Sequence, residues 1–281
     1  MTQLDLTLPT PLVDIDWVQA HLHHPEMVLV DCRFALNDPQ QGRRAYEQGH
    51  LPGAYYLDLN EDLSSPVQTH GGRHPLPDPN QLVAKLESLG IASTPATAVV
   101  AYDATKGAFA SRLWWLLRYL GHDNVAVLNG GLPAWQAADY PLEQSLPQSS
   151  KSGEFIPSIQ ANWVVDRDYV IHHKDDPGTT LIDSRSPERF RGEQEPIDPI
   201  AGSIPGALNC FWQSNMDEQG RFKSMPDLQQ NWAPIPPSET LIIHCGSGVT
   251  ACVNALAQTV LGNPMPKLYI GGWSDWCSYQ K

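Results

Sequence analysis

The stretch TLIIHCGSGVTACVNALAQTVLG, residues 240–262, carries a complete strand, turn and helix pattern. Its apolar, β-branched start at Leu241–Ile243 is short enough for a buried strand. From Ala251 to Leu261, small and apolar residues recur at the spacing of one buried helix face. The intervening Cys245–Thr250 is predicted to form a tight turn, whose two glycines allow several backbone N–H groups to converge on one point. A thiol there faces those N–H groups and the positive end of a helix dipole, which both favour the thiolate.

The strand-and-turn pattern of this stretch belongs to a longer pattern that occurs twice along the chain. The first half contains the strings MVLVDCR, GHLPGA and VLNGGLPAW, and the second half contains TLIDSR, GSIPGA and LYIGGWSDW in the same order. Within each half, short apolar strands alternate with helical patterns, which predicts a parallel sheet flanked by helices. The sequence therefore predicts an α/β protein with two similar domains.

A segment rich in Ser, Pro and Gly separates the two halves and is typical of an extended linker. We predict an N-terminal domain at residues 1–145, a linker at 146–160 and a C-terminal domain at 161–281. Aligning the strands of the two halves places Asp103 where the second half has Cys245. A carboxylate cannot act as a sulfur nucleophile, so the chemistry is expected in the C-terminal domain alone.

Composition narrows the possible partners and the compartment. The formal net charge is −13 and no Lys/Arg-rich run occurs, which argues against binding to nucleic acid or to an anionic membrane. No apolar segment approaches the ~20 residues of a membrane span. Five scattered cysteines indicate reduced thiols and a cytoplasmic protein rather than a disulfide framework. No CxxC or paired Cys/His spacing is present, so neither a metal nor another cofactor is expected.

Two repeated α/β modules, a Pro-Gly-Ala turn in each and one Cys-Gly-Ser-Gly-Val-Thr loop resemble the two-domain rhodanese-type sulfurtransferases. The loop is most similar to that of the 3-mercaptopyruvate branch, since the thiosulfate branch has two basic residues where this chain has Gly246 and Ser247. The resemblance implies two tandem rhodanese-like domains. It also implies that Cys245 takes a sulfane sulfur from a small-molecule donor as a persulfide. The sulfur then passes to an acceptor such as cyanide, a thiol or reduced thioredoxin.

The resemblance extends to residues that bind the donor and the persulfide. Backbone N–H groups of the loop are expected to stabilise the persulfide anion, and this group comprises Gly246, Gly248, Val249 and Thr250. Arg189 matches the arginine that binds donor anions in this family, and its fork can hold a carboxylate at two points. The alternative for Arg189 is an ion pair with a neighbouring glutamate.

The donor-binding pattern of this chain departs from the family at one position. Animal and enteric mercaptopyruvate enzymes have a second arginine nine positions after the first, where this chain has Asp198. The carboxylate clamp is therefore expected to be weaker or built from something else.

The resemblance also implies a proton relay, because the pyruvate enolate that leaves mercaptopyruvate benefits from a proton donor. Ser247 of the loop, His74 and Asp58 fall where the members of this relay lie in the family. A second acidic position of the family's segment is Asn60 here, which weakens the assignment of the third member. The alternative for His74 is a loop histidine bonded to the backbone, and Arg73 beside it is another source of positive charge.

Three other functions are consistent with parts of this pattern. A phosphatase or arsenate reductase needs an arginine near the end of its cysteine loop, where this chain has Ala251 and Cys252, so phosphate chemistry is disfavoured. A thiosulfate:cyanide sulfurtransferase is closer, although Gly246 and Ser247 supply no charge for a dianion. A sulfur-carrier or binding module without turnover of its own is the third.

Overall fold

The computed structural model describes residues 6–147 and 152–280, which divide into two compact units. The first unit contains the described residues up to 64, those within 77–160, and 218–221. The second unit contains residues 65–76, 161–217 and the described residues from 222 onward. Neither unit is therefore one continuous piece of the chain.

Each unit contains a five-stranded parallel sheet, and the strand order is the same in both. The strands of the first unit, in the spatial order β1-β5-β4-β2-β3, are β1 (Leu12–Val13), β2 (Met27–Asp31), β3 (Tyr55–Tyr56), β4 (Ala98–Tyr102) and β5 (Val125–Leu128). Those of the second unit, in the order β6-β10-β9-β7-β8, are β6 (Val164–Val165), β7 (Thr179–Asp183), β8 (Leu208–Asn209), β9 (Thr240–His244) and β10 (Lys267–Tyr269). The α/β fold and its internal repeat are confirmed.

Helices connect the parallel strands, as parallel connections require. In the first unit they are α1 (Ile15–His21), α2 (Gln41–Gln48), α3 (Pro79–Ser88), α4 (Ala110–Tyr119) and α5 (Gly131–Ala137). In the second they are α6 (Arg167–His173), α7 (Pro187–Phe190), α8 (Met225–Trp232), α9 (Ala251–Val260) and α10 (Gly272–Ser278), with short 3₁₀ turns at Ala161–Trp163 and Trp212–Asn215. Among the described residues, no helix combines the length and the apolar character of a membrane span.

The core of each unit is built around its central strand and the helix that follows it. Every residue of β4 is fully buried, and most of α4 and of α9 is buried on all sides. Trp114, Trp115 and Trp135 lie in the interior of the first unit. β9 lies between β10 and β7, so the residue that follows it emerges at the centre of the sheet edge.

The repeated Asp-x-Arg sequence after β2 and β7 makes the same contact in both units. Arg185 donates to Asp183 Oδ2, at 3.0 Å from Nε and 2.7 Å from Nη2. The same Nη2 also donates to the carbonyl oxygen of Gly202, at 2.6 Å. In the first unit Arg33 Nε donates to Asp31 Oδ2 in the same way, at 2.9 Å. These buried pairs fix the loops that leave the two equivalent strands, so Arg185 has a structural role.

The predicted linker at 146–160 overlaps residues 148–151, which lie outside the described residues. Residues 152–160 form backbone hydrogen bonds with residues of the first unit. Gly153 N–H donates to the carbonyl oxygen of Glu87 at 2.9 Å, and Ser158 N–H donates to that of Leu120 at 2.7 Å. The described part of this segment therefore groups with the first unit.

Residues 65–76 group with the second unit, although they lie in the first half of the sequence. Gly71 N–H donates to Asp275 Oδ1 at 2.7 Å, and Arg73 N–H donates to Ser274 Oγ at 3.1 Å. Gly72 lies against the carbonyl oxygen of Gly271 with a φ of +83°, where a side chain would collide. The domain prediction at 1–145 did not foresee this segment, because it has no periodic pattern that assigns it to either sheet.

Candidate active site

Cys245 follows the last residue of β9 and is almost completely buried. Its loop contacts the first turn of α10. Trp273 N–H donates to the carbonyl oxygen of Cys245 at 2.8 Å, and Ser274 N–H donates to that of Gly246 at 2.8 Å. The loop is thereby held at both of its first two peptide groups, which fixes the direction of the thiol.

Two glycines make this close approach possible. Gly272 has a φ of +58°, and a Cβ there would lie 2.5 Å from the carbonyl oxygen of Cys245. Gly248, inside the loop, has a φ of +70° and faces the carbonyl oxygen of Ile270. A side chain at either position would be strained by φ and would collide with backbone. The Gly-Gly-Trp string was recognised in the sequence as a repeat, but this supporting role was not.

The equivalent loop of the first unit shows what such a turn binds. Both carboxylate oxygens of Asp103 accept hydrogen bonds from the backbone within that loop. The four donors, at 2.6–2.9 Å, are the N–H groups of Thr105, Gly107, Phe109 and Ala110. Burial raises the pKa of Asp103, and the four N–H bonds oppose this rise. The first loop thus holds its own side chain in a ring of N–H donors.

In the second unit, several backbone N–H groups of the Cys245 loop have no protein acceptor in the described part of the chain. Among the described residues, no protein acceptor lies within hydrogen-bonding distance of the N–H groups of Gly246, Ser247, Val249 or Thr250. The loop therefore offers several backbone donors beside the Cys245 thiol, at the start of α9. Such an arrangement suits an anion formed on the sulfur atom.

Ser247 and His74 lie together beside the cysteine loop. A hydrogen bond of 2.7 Å joins Ser247 Oγ and His74 Nδ1, and each residue is only 5% exposed. His74 belongs to the segment 65–76 described above, which brings it into the second unit. The structure thus joins two of the three residues proposed for the proton relay.

Asp58, the third, belongs to the first unit and serves a local turn there. Its Oδ1 accepts from the N–H groups of Asn60 and Glu61 at 2.8 and 3.1 Å, and its Oδ2 accepts from the Tyr56 hydroxyl at 3.1 Å. These contacts give Asp58 a clear structural task. Its place in a proton relay remains a prediction.

Arg189 lies in an ion-pair network and also beside the cysteine loop. Its Nη2 donates to Glu195 Oε1 at 2.7 Å and to Asp198 Oδ2 at 3.1 Å. Its Nη2 and Nη1 atoms lie 3.5 and 3.7 Å from the position that a Cβ on Gly246 would take. Arg189 therefore forms an ion pair with a neighbouring glutamate and also lies beside the cysteine loop. Its binding of a donor anion stays a prediction.

Arg73, predicted from the sequence only as another source of positive charge, is the second basic residue beside the loop. Its Nη1 forms an ion pair with Asp198 Oδ1, and its Nη2 lies 2.9 Å from the Cβ position on Gly246. Burial, and to a smaller extent Arg189, lowers the pKa of this guanidinium, whereas Cys245 raises it. Glu195 is a further member of the network, since it also accepts from Arg185 at 3.1 Å. The sequence predicted a neighbouring glutamate as a possible partner of Arg189 but did not single out Glu195.

The other cysteines differ from Cys245 in their surroundings. All five cysteines are buried, and none of them forms a disulfide bond within the described residues. Burial raises the pKa of Cys210 to about 12, and it also raises the pKa of Cys32 and Cys277. Cys32 and Cys210 each follow a strand, but none of these three cysteines is followed by a glycine-rich loop. The described residues contain no group of His, Cys, Asp and Glu arranged to hold a metal ion.

Comparisons with known proteins agree with this geometry. The chain is 43% identical over 270 residues to a Pseudomonas aeruginosa protein named "Probable 3-mercaptopyruvate sulfurtransferase", covering 94% of both chains. It is 32% identical over 274 residues to a thiosulfate sulfurtransferase of Azotobacter vinelandii, covering 96% of this chain and 94% of that one.

A similar solved structure is that of an Escherichia coli 3-mercaptopyruvate sulfurtransferase, with a TM-score of 0.82 and 33% identity over 94% of this chain and 99% of that one. The Rhodanese-like domain family matches twice, at residues 14–138 and 166–279. These matches cover both α/β units, and the second includes the Cys245 loop. The chain therefore belongs to the rhodanese-like family, with two such domains in tandem.

Proposed function

We propose that the protein is a sulfurtransferase that moves a sulfur atom from 3-mercaptopyruvate through a Cys245 persulfide to a thiol or to cyanide. The observation that carries this proposal is the buried hydrogen bond between His74 and Ser247, which lies in the same loop as Cys245. It supplies a proton source next to a sulfur nucleophile, which transfer from mercaptopyruvate needs. The relatives that are 43% and 32% identical to this chain are named for 3-mercaptopyruvate and for thiosulfate, respectively.

The proposed first half-reaction breaks the carbon–sulfur bond of the donor. The Cys245 thiolate attacks the donor sulfur, a sulfur–sulfur bond forms, and the electron pair of the carbon–sulfur bond leaves with the pyruvate enolate. Ser247, backed by His74, delivers a proton to that enolate, and the persulfide proton restores the pair. The loop N–H groups then stabilise the persulfide anion, as backbone donors at a helix start do.

The second half-reaction returns the enzyme to its starting state. A thiolate or cyanide attacks the outer sulfur of the persulfide, the sulfur–sulfur bond breaks, and Cys245 leaves as a thiolate. Attack by cyanide gives thiocyanate, and attack by a thiol gives a new persulfide on the acceptor. A dithiol protein such as reduced thioredoxin is one acceptor of this class.

The thiol state of all five cysteines supports a reducing compartment such as the cytoplasm.

Thiosulfate is the second candidate donor. Two guanidinium groups, those of Arg73 and Arg189, lie beside Gly246 and suit a dianion. Sulfite, however, leaves without needing a proton, so the Ser247–His74 pair has no task in that reaction. We therefore expect the wild-type enzyme to have a higher kcat/KM for mercaptopyruvate than for thiosulfate, with cyanide as the acceptor. A preference for thiosulfate would contradict the choice of donor but not the transfer of sulfur.

The nucleophile is tested by mass spectrometry of the intact protein after incubation with mercaptopyruvate. The wild type is expected to gain one sulfur atom that cyanide removes, and Cys245→Ser is expected to gain none. Cys252→Ser is the matched control, because Cys252 is a buried thiol on α9, 3.4 Å from the carbonyl oxygen of Gly248. Uptake of labile sulfur by Cys245→Ser would place the nucleophile elsewhere.

A further inference from the structure

Two guanidinium groups converge on Gly246, and each has N–H groups that the protein does not use. Arg73 pairs with Asp198 through Nη1 alone, and its Nε is buried without a partner among the described residues. Arg189 uses Nε and Nη2 for Glu195 and Asp198, and its Nη1 has no partner within the described part of the chain. A guanidinium carries five N–H donors and no acceptor. Arg73 Nη2 and Arg189 Nη1 therefore present unused donors to the same point.

That point is kept open by the absence of a side chain at Gly246. A Cβ there would lie 2.9 Å from Arg73 Nη2 and 3.7 Å from Arg189 Nη1. The space faced by both groups begins one residue after the Cys245 thiol. An anion held there would place its attached atoms next to the sulfur nucleophile.

We propose that Arg73 and Arg189 together bind the carboxylate of the sulfur donor, and that Asp198 positions both guanidinium groups for this task. The inference rests on the proposed function for its donor. Arg73 then supplies the second guanidinium of the clamp. Asp198, which stands at the sequence position of the family's second arginine, holds Arg73 by an ion pair.

Asp198 suits a positioning role because it touches both arginines and is closed to water. Its Oδ1 pairs with Arg73 and its Oδ2 with Arg189, and its side chain is 2% exposed. Glu195, 3% exposed, holds the other edge of Arg189. The two carboxylates balance the two guanidinium charges, so the network is stable without a ligand while its unused N–H groups still face Gly246. Fixed N–H groups bind an anion better than mobile ones, because less side-chain freedom is lost on binding.

Direct binding of pyruvate, the carboxylate product of the proposed reaction, tests this inference. Isothermal titration calorimetry of the full-length protein compares the wild type with Arg73→Met, Arg73→Lys and Arg191→Met. Arg73→Met is expected to raise the Kd for pyruvate by roughly tenfold or more, the scale of one charge-assisted hydrogen bond. Arg191→Met removes an exposed guanidinium paired with Glu193 and is expected to leave binding unchanged.

The Arg73→Lys variant separates donor binding from the balancing of charge. Its ammonium would keep an ion pair with Asp198 but lacks the second edge of donors, so a pyruvate Kd well above the wild-type value is expected even if the protein is fully stable. Steady-state assays should then show a raised KM for mercaptopyruvate with a smaller change in kcat. Wild-type pyruvate affinity in either Arg73 variant would overturn the inference. A wild type that binds pyruvate in an Arg73-dependent way but does not turn over mercaptopyruvate would overturn only the proposed function.

Discussion

At Ser247 the hydroxyl oxygen lies 2.7 Å from His74 Nδ1, in surroundings that exclude most water. A hydroxyl in this position can donate a proton to a carbon or oxygen that gains charge, and the imidazole can replace it. The benefit depends on the leaving group. An enolate gains much from a proton donor, whereas sulfite gains little. The same pair should therefore discriminate between donors that share the same nucleophile.

Ser247→Ala is expected to lower kcat with mercaptopyruvate by roughly a hundredfold or more, since a positioned general acid contributes about 10²–10⁴-fold. Turnover with thiosulfate should fall by a smaller factor. The measurement is the ratio of the two kcat/KM values for the variant and for the wild type. Ser111→Ala is the control, since Ser111 is a buried serine of the first unit whose hydroxyl has no partner within the described residues. Equal losses with both donors would remove the proton-transfer role.

His244, next to the nucleophile, gives the fold a predicted dependence on pH. Burial lowers the pKa of His244 below its ordinary 6.5, although Asp183 and the Cys245 carbonyl oppose the shift. The folded state keeps this ring neutral, whereas the unfolded chain binds a proton below pH 6.5. Stability linked to His244 is therefore present above about pH 6.5 and is lost as the pH falls toward the folded pKa.

Urea unfolding at about pH 7.5 and about pH 5.5 should show a smaller free energy of unfolding at the lower pH. His244→Asn should reduce this difference but not abolish it, because burial also lowers the pKa of His122 in the first unit. A His244→Asn variant with the full wild-type pH dependence would contradict the assignment.

At the scale of elements, the last helix of each unit begins at a glycine with nearly the same backbone conformation, but the two glycines contact different residues. Gly131 and Gly272 have φ values of +56° and +58°. The first lies against the carbonyl oxygen of Asp103 and the second against that of Cys245. The same backbone contact thus supports a filled loop in one unit and a reactive loop in the other.

Gly272→Ala should destabilise the protein by about 1–3 kcal/mol, from left-handed strain and a collision with backbone. It should also lower kcat/KM severalfold, because the Cys245 peptide must shift. Gly131→Ala provides the matched control, with a similar cost in thermal stability but near-normal activity of the folded protein. Thermal unfolding and steady-state assays on the two variants test this pair. Normal activity in a folded Gly272→Ala protein would show that the loop does not depend on this contact.

The sequence predicted these elements well where the signal is local. β9, the cysteine loop and α9 follow from an apolar run, two glycines and a helical repeat within one short stretch. The role of Gly272 was not predictable in this way, because it depends on contact with a peptide group elsewhere in the chain. The position of Cys245 was predicted from the residues next to it in sequence, whereas the role of Gly272 follows from its contact with the Cys245 carbonyl oxygen.

At the scale of the whole molecule, the equivalent loops of the two units differ in how the protein uses their backbone donors. In the first unit the loop donors are satisfied by Asp103, and in the second four of them have no protein acceptor in the described residues. Asp103 is therefore expected to stabilise its own unit and to take no part in sulfur transfer.

Asp103→Asn should destabilise the first unit by on the order of 2–4 kcal/mol, because an amide nitrogen faces backbone donors that a carboxylate oxygen had accepted. Hydrogen exchange followed by mass spectrometry should show faster exchange in peptides from β4 and β5 and little change in those from β9 and β10. Asp123→Asn, at an exposed ion pair with Arg118, is the control. Faster exchange in both units, or in neither, would contradict this view of Asp103.

The limits of prediction are also visible at this scale. Cys245, Ser247 and Arg189 lie in recognisable patterns, and the structure places all three in the second unit. Arg73 joins them through an ion pair with Asp198, which is far from it in sequence, and no spacing rule detects such a contact. Asp198 is an example: it stands where the family has a second arginine, and the second guanidinium of this network is that of Arg73 instead.

The placement of residues 65–76 in the second unit has a consequence for recombination between relatives. A chimera joined between the two halves, within residues 152–160, would take its thiol from the C-terminal parent. It would take Arg73 and His74 from the N-terminal parent. With the proposed roles of Arg73 and His74, donor preference would then depend in part on the half of the gene that does not encode Cys245. Mutations in that half would be expected to alter substrate choice while the Cys245 loop stays unchanged.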